Sequence, residues 1–184
     1  MISILSLHNI THRPAAVLGG GPSLYKDLGT LGKLQTQDGR PPVLISVNQH
    51  ALEYVWTPYL VFMDEPGRSR RMSQLMNIYQ GIKVSPLEEY SNVDLSETAW
   101  WRGNFSSHLA TWLACWLGCN PVLLCGMNCY QNPRPAEADP RDQAYHMPLK
   151  EHLAGWRQAF EKCAHPERIR AVSGPLVEIF GQWK

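Results

Sequence analysis

Short, almost wholly apolar runs that stop on glycine, asparagine or aspartate constrain this chain more than any other feature. They are Ala15-Ala-Val-Leu-Gly, Pro41-Pro-Val-Leu-Ile-Ser-Val-Asn, Tyr59-Leu-Val-Phe-Met-Asp and Val122-Leu-Leu-Cys-Gly. A run apolar on both of its faces suits a strand covered from both sides, as in a parallel sheet. Longer amphipathic stretches separate the runs. A helical pattern begins at Ser23, and Met72, Leu75, Met76 and Tyr79 share a face within 68–80. Another helix begins near Ser106 or Ser107, with Leu109, Trp112, Leu113, Trp116 and Leu117 on one face and Gly118 with Asn120-Pro121 as its stop. A last one covers 152–163. Strand and helix alternating this way predict an α/β fold, a single Rossmann-like domain over 1–184 with a mostly parallel sheet and helices on both faces.

Smaller features complete the pattern. Asn48 to Trp56 reads as a short helix, Ile82-Lys-Val-Ser as a strand, and 169–180 as holding one more. The start, Met1 to His8, reads as a first strand or an ordered arm. The stretch 132–147 is rich in proline and charge and too long for a tight turn, so a lid-like loop is expected over about 131–148. With 44% hydrophobic residues in 184, one core can form without covalent staples. Lys and Arg number 17 against 16 Asp and Glu, a net charge of +1, so general nucleic-acid binding is not expected. No apolar run approaches the ~18 residues of a membrane span. The apolar start lacks a basic leader, and a cytoplasmic protein is expected. Of five cysteines, Cys115, Cys119, Cys125 and Cys129 form two C-x-x-x-C pairs, which do not match common zinc spacing. All five, with Cys163, are read as reduced thiols.

The chemistry is expected at the strand ends. Gly19, Gly20 and Gly21 follow a strand, and Pro22 and Ser23 open a helix. Glycine lets main chain approach an anion closely, and free N–H groups at a helix start suit a phosphate. The spacing is neither G-x-G-x-x-G nor a Walker loop. Asn48 and Asp64 end the next two strands, so both are expected in the same crevice. Asn48 is a candidate for a base or ribose, Asp64 for a ribose hydroxyl or for Mg²⁺ beside phosphates; both also read as helix caps. Gly103, Asn104, Ser106 and Ser107 form a second helix start for the other end of a nucleotide or for an acceptor, with an ordinary serine cap as the alternative. Gly126 and Asn128 end the next strand. His146 and His152 flank the lid and are candidate bases, whereas Arg68, Arg70 and Arg71 read as a solvated face. No hydrolase elbow or zinc-protease motif is present.

Taken together, Gly19-Gly-Gly-Pro-Ser-Leu, Ser46-Val-Asn, the strand ending at Asp64, and the run from Ser106 to Asn128 resemble the archaeal 6-hydroxymethylpterin diphosphokinase-like family, with relatives frequent in phage and prophage. The likeness covers about 15–130. It implies a transferase using ATP and Mg²⁺, phosphates on Gly19–Ser23 and Asp64 as metal ligand; for a phage protein the compartment is the host cytoplasm. Asn128 stands where relatives often carry an acid. The glycine turn with Asn48-Gln49 also resembles bacterial sialyltransferases that use a CMP-sugar without metal, which implies His146 as base. A non-catalytic nucleotide-binding or assembly protein is the third reading. A small-molecule nucleotide and an unknown acceptor are the expected partners, and homo-oligomer formation stays open.

Overall fold

The computed structural model describes residues 1–32, 39–96, 103–129 and 147–184. Its elements run β1 (Ile2–Ser3), β2 (Ala15–Leu18), α1 (Leu24–Leu31), β3 (Val43–Val47), β4 (Tyr59–Val61), α2 (Arg70–Ile78), β5 (Ile82–Val84), β6 (Val93–Asp94), α3 (Ser106–Trp116), β7 (Val122–Cys125), α4 (Leu149–Phe160), β8 (Ile169–Ala171) and α5 (Val177–Phe180). Six strands form one sheet in the order β5-β4-β3-β2-β7-β8, and every pairing is parallel. The chain steps outward from β2 to β5, then returns through α3 to lay β7 on the other side of β2. That reversal opens a crevice outside the carboxyl ends of β2 and β7, where ligands collect in open α/β sheets. Leu18, at the end of β2, lies opposite both Ser46 and Cys125 in register.

The strands are apolar throughout because both faces are covered. Alternate side chains point to opposite sides of a strand. Ala15 and Val17 of β2, with Val122 and Leu124 of β7, join the core built on α3, α4 and α5. Ala16 and Leu18, with Leu123 and Cys125, pack instead with Leu24, Leu28 and Leu31 of α1. Leu60 of β4 meets Met72 of α2 on that second side. The expected layers, helices on both faces of a parallel sheet, are present.

Helix α3 is buried almost all round, which its composition requires. Leu109, Ala110, Leu113 and Ala114 are fully buried, and Trp112 stacks on Trp116 with ring centroids 5.5 Å apart. The Trp116 indole N–H donates to the Ile4 carbonyl at 2.8 Å, tying the amino-terminal segment to this helix. Gly118, at φ +84°, turns the chain out of the helix where any Cβ would strike the Thr11 carbonyl.

Four boundaries differ from expectation. The segment after Asn48 makes a single 3-10 turn, His50–Glu53, in place of the longer helix expected. Strand β4 ends at Val61, which leaves Asp64 in the following loop. Helix α4 begins earlier, at Leu149 behind Pro148, and stops at Phe160. Val93–Asp94 pairs with β1 in a separate two-stranded sheet, a contact between distant segments that local pattern does not reveal. Among the described residues, no helix is long and apolar enough to cross a membrane.

Candidate functional site

A cavity of about 300 Å³ occupies the crevice at the strand ends. Gly19, Gly20, Gly21 and Pro22 line it after β2, Asn48 after β3, Asp64 beyond β4, and Gly126 with Asn128 after β7. Asn104, Ser106 and Ser107 complete it from the start of α3. These eleven predicted residues, drawn from five segments, meet in one place, and His152, the candidate base within the described residues, lines it as well. Ser23 and Gly103 do not line it. His146 and most of the expected lid lie outside the described residues.

The glycine turn has a different physical reason from the one expected. The Gly19 N–H donates to the Cys125 carbonyl at 2.8 Å and the Gly21 N–H to the Gly126 carbonyl at 2.8 Å. The Ser23 N–H points to Asn128 Oδ1 at 3.3 Å, and the Leu24 N–H donates to the Gly21 carbonyl. Pro22 has no N–H. Most amides of the bend are therefore engaged within the protein, and Gly20 retains the one N–H of Gly19–Leu24 without an acceptor among the described residues. The glycines are required by close packing: a Cβ at Gly19 would lie 2.6 Å from the Gly126 carbonyl oxygen, and one at Gly21 would lie 2.3 Å from Asn128 Oδ1.

Asp27 locks this contact. It is 1% exposed on α1, and its Oδ2 accepts the Gly126 N–H at 2.8 Å and the Ser23 hydroxyl at 2.9 Å. The Ser23 hydroxyl also lies 2.9 Å from Asn128 Oδ1, and its single proton serves one acceptor at a time. Asn128 thus braces the start of α1 from the far strand, which explains an amide at a position where an acid would repel Asp27.

Free donors sit instead at the start of α3. Its cap residue is Phe105, which has no side-chain oxygen, and no cap bond forms. The Ser106 and Ser107 amides have no acceptor among the described residues, since the first helical turn donates only from His108 and Leu109, both to the Phe105 carbonyl. An uncapped helix start carries about half a positive charge and suits an anion. The Ser106 oxygen accepts from the Met63 N–H at 3.1 Å, which leaves its proton available. Asn48 and Cys129, both on the wall, adopt left-handed backbone at φ +55° and +49°. Such conformations cost energy and cluster at ligand sites. The Ser46 hydroxyl steadies the first by donating to the Asn48 carbonyl at 2.8 Å.

Sequence reading named His152 as a candidate base but missed His50 and the two aromatic residues that line the cavity with it. Phe105 and Trp156 line its aromatic end, with His152 between them in chain order, and His50 lines it beside Gly20. Phe105 and His152 have ring centroids 5.3 Å apart. The available signal was spacing: His152 and Trp156 are four residues apart on α4 and share a face. His50 lies in the turn that Asn48 begins. The wall holds no lysine or arginine among the described residues, and Asp64 is its one carboxylate. No group of three His, Cys, Asp or Glu suited to a metal ion forms among the described residues.

His108 lies behind this end, 1% exposed, with Trp156 edge-on at 4.5 Å and Phe105 at 4.9 Å. Neither ring nitrogen has a hydrogen-bond partner among the described residues. Burial first, and His152 second, push its pKa down to about 3. The unfolded imidazole protonates near pH 6.5. The native state therefore resists a proton that the unfolded state accepts, and stability falls as pH drops from about 6.5 toward 3. Between pH 7 and pH 5 His108 removes roughly 2 kcal/mol. His108→Phe is expected to flatten that part of the pH–stability curve, read from urea unfolding at each pH; an unchanged slope refutes it.

No family model matches this chain, and no curated protein matches it. Among solved structures it is similar to the MAf glycosyltransferase from Magnetospirillum magneticum AMB-1, at 16% identity and a TM-score of 0.48. The match covers 72% of this chain and 25% of that one, so this chain spans a quarter of that structure's length. It carries no argument about function.

Proposed function

We propose that the chain is a nucleotide-dependent transferase whose donor carries a single phosphate, of the metal-free, CMP-sugar type that its sequence resembles. One observation carries the reading: the uncapped start of α3 offers Ser106 and Ser107 donors to a cavity wall without lysine or arginine among the described residues. Neutral dipoles of this kind match one phosphate, whereas a triphosphate calls for cations. Phe105 and Trp156 supply apolar faces for a planar base. Asn48 and Asp64 supply polar groups for ribose or acceptor hydroxyls.

In the reaction, the acceptor hydroxyl oxygen bonds to the sugar carbon as that carbon's bond to the phosphate oxygen breaks. The hydroxyl proton passes to a histidine on the wall, His50 or His152, and the nucleotide monophosphate leaves with the bonding pair. The phosphate keeps its contacts with α3 throughout, which stabilises the charge that develops on the leaving oxygen.

Asp64 alone supports the second reading, ATP- and Mg²⁺-dependent diphosphoryl transfer of the pterin diphosphokinase-like kind. One carboxylate can hold Mg²⁺ when substrate phosphates complete its shell. Thermal unfolding with CMP, CTP or ATP, each with and without Mg²⁺, separates the two. CMP at about a hundredfold over its Kd contributes about 2.7 kcal/mol and is expected to raise Tm by roughly 5 °C or more, equally with and without Mg²⁺. Stabilisation by ATP only with Mg²⁺, and none by CMP, overturns the proposal in favour of the second reading. CMP binding without turnover of any CMP-sugar moves the chain to the non-catalytic class.

A further inference from the structure

A second cavity, of about 380 Å³, lies where α4, α5 and the edge strand β8 come together. It shares no lining residue with the first. Trp156, on the wall of the first, stacks on Phe160 with ring centroids 5.5 Å apart and meets Phe180 edge-on at 5.7 Å. Those two phenyl rings line the second cavity, so the two spaces abut one aromatic cluster. A volume of this size takes a small organic molecule.

The wall is mostly apolar, with one cation that no acid compensates. Phe160 and Phe180, 7% and 8% exposed, stand edge to face at 5.8 Å, and Pro166 and Ile179 extend that surface. Three ionic groups join them, and two are already engaged. Arg157 pairs with Glu178, and the Glu167 carboxylate lies 3.2 Å from a ring nitrogen of His165. Arg170 differs. Its Nη1 donates to the Ile169 carbonyl at 2.7 Å and the Phe180 carbonyl at 3.4 Å, which fixes the guanidinium. No carboxylate among the described residues pairs with it. Its Nε and Nη2 N–H groups, on the other edge of the plane, have the spacing that takes a carboxylate side-on.

We propose that this cavity binds a small monocarboxylate with an apolar body, the carboxylate on the open edge of Arg170 and the body against Phe160, Ile179 and Phe180. A guanidinium already held by main chain loses little freedom when the ligand arrives. One uncompensated cation matches one negative charge. The Glu167 carboxylate on the same wall disfavours a multiply charged anion such as a phosphate ester. The phenyl rings disfavour an acid without an apolar body, which would leave them facing water. The site takes no part in the transferase reaction and stands whether or not that reading holds.

The probe is 3-phenylpropionate, titrated into the full-length chain by calorimetry near neutral pH and mapped by amide chemical shifts. Saturable one-to-one binding is expected, with shifts at Glu167, Arg170 and Ile179. Acetate, which lacks the apolar body, and 3-phenylpropan-1-ol, which lacks the charge, are each expected to bind about tenfold more weakly or worse. Arg170→Gln is expected to weaken the acid about tenfold, the range of a lost charge-assisted pair, and to leave the alcohol unchanged. Should that variant fail to fold, the ligand series and the shift map of the unsubstituted chain decide. No saturable binding, equal affinity for the acid and either comparison compound, or shifts confined to the first cavity overturns the proposal.

Discussion

Asp27→Ala is expected to lower the unfolding free energy by about 3 kcal/mol, although the new alanine is the better helix former. The carboxylate it removes is buried and accepts from the Gly126 N–H and the Ser23 hydroxyl. The hydroxyl can turn to Asn128, but the Gly126 amide loses the acceptor it has and is left buried and unpaired. Losing the brace also frees the start of α1 from the end of β7, so the floor of the cavity loosens. Asp27→Asn keeps an oxygen for Gly126 and is expected to lose about 1 kcal/mol, the range of a charged acceptor becoming neutral. Urea unfolding followed by circular dichroism reads both as a fall in midpoint at constant slope. Equal losses for the two variants would show that the Gly126 bond is not what Asp27 supplies.

Gly19→Ala is expected to lose a similar amount, about 3 kcal/mol, the upper end for overpacking. The added methyl would lie 2.6 Å from the Gly126 oxygen and 3.2 Å from its carbonyl carbon, both main chain, and 2.8 Å from the Met127 sulfur. Main chain cannot swing aside, so β2 and β7 must part where their ends define the crevice. Gly20→Ala provides the contrast, because the atoms nearest its methyl would all belong to the His50 side chain. A ring can shift, so Gly20→Ala is expected to lose less stability and to weaken CMP binding by displacing His50. Calorimetry distinguishes them; a larger Tm loss for Gly20→Ala than for Gly19→Ala contradicts this account.

Much of the architecture was legible because strand and helix signals are local. The continuous apolar runs at Ala15–Leu18, Val43–Val47 and Val122–Cys125 report two-sided burial directly. Once a parallel sheet is inferred, its carboxyl ends follow from chain direction, which is why residues as distant as Gly19, Asp64 and Asn128 could be expected in one crevice. The two-stranded pairing of Ile2–Ser3 with Val93–Asp94 was not legible, since neither segment is long enough to carry a period.

At the site the limits are sharper. Three glycines after a strand suit an anion cradle and a tight contact between chain segments equally well, because both need main chain without a Cβ. The choice depends on where the Gly19, Gly21 and Ser23 amides point, and their acceptors lie over a hundred residues away at Cys125, Gly126 and Asn128. Asp27 gave no hint of its role, since an acid in the first turn of a helix reads as a favourable charge on the surface. His108 likewise shares its stretch with helix formers and core residues, and nothing local marks a histidine that will be enclosed by Phe105, Trp156 and Phe160.

By itself, then, the order of residues determined the parallel α/β frame and the strand ends that face the crevice, because hydrophobic period and chain direction are properties of neighbouring residues. Only the tertiary structure decided which amides remain free for a ligand and which carboxylate is a brace. Those outcomes depend on hydrogen bonds and contacts between segments far apart in the chain, and each donor or acceptor is available to a ligand only if no distant partner has already taken it.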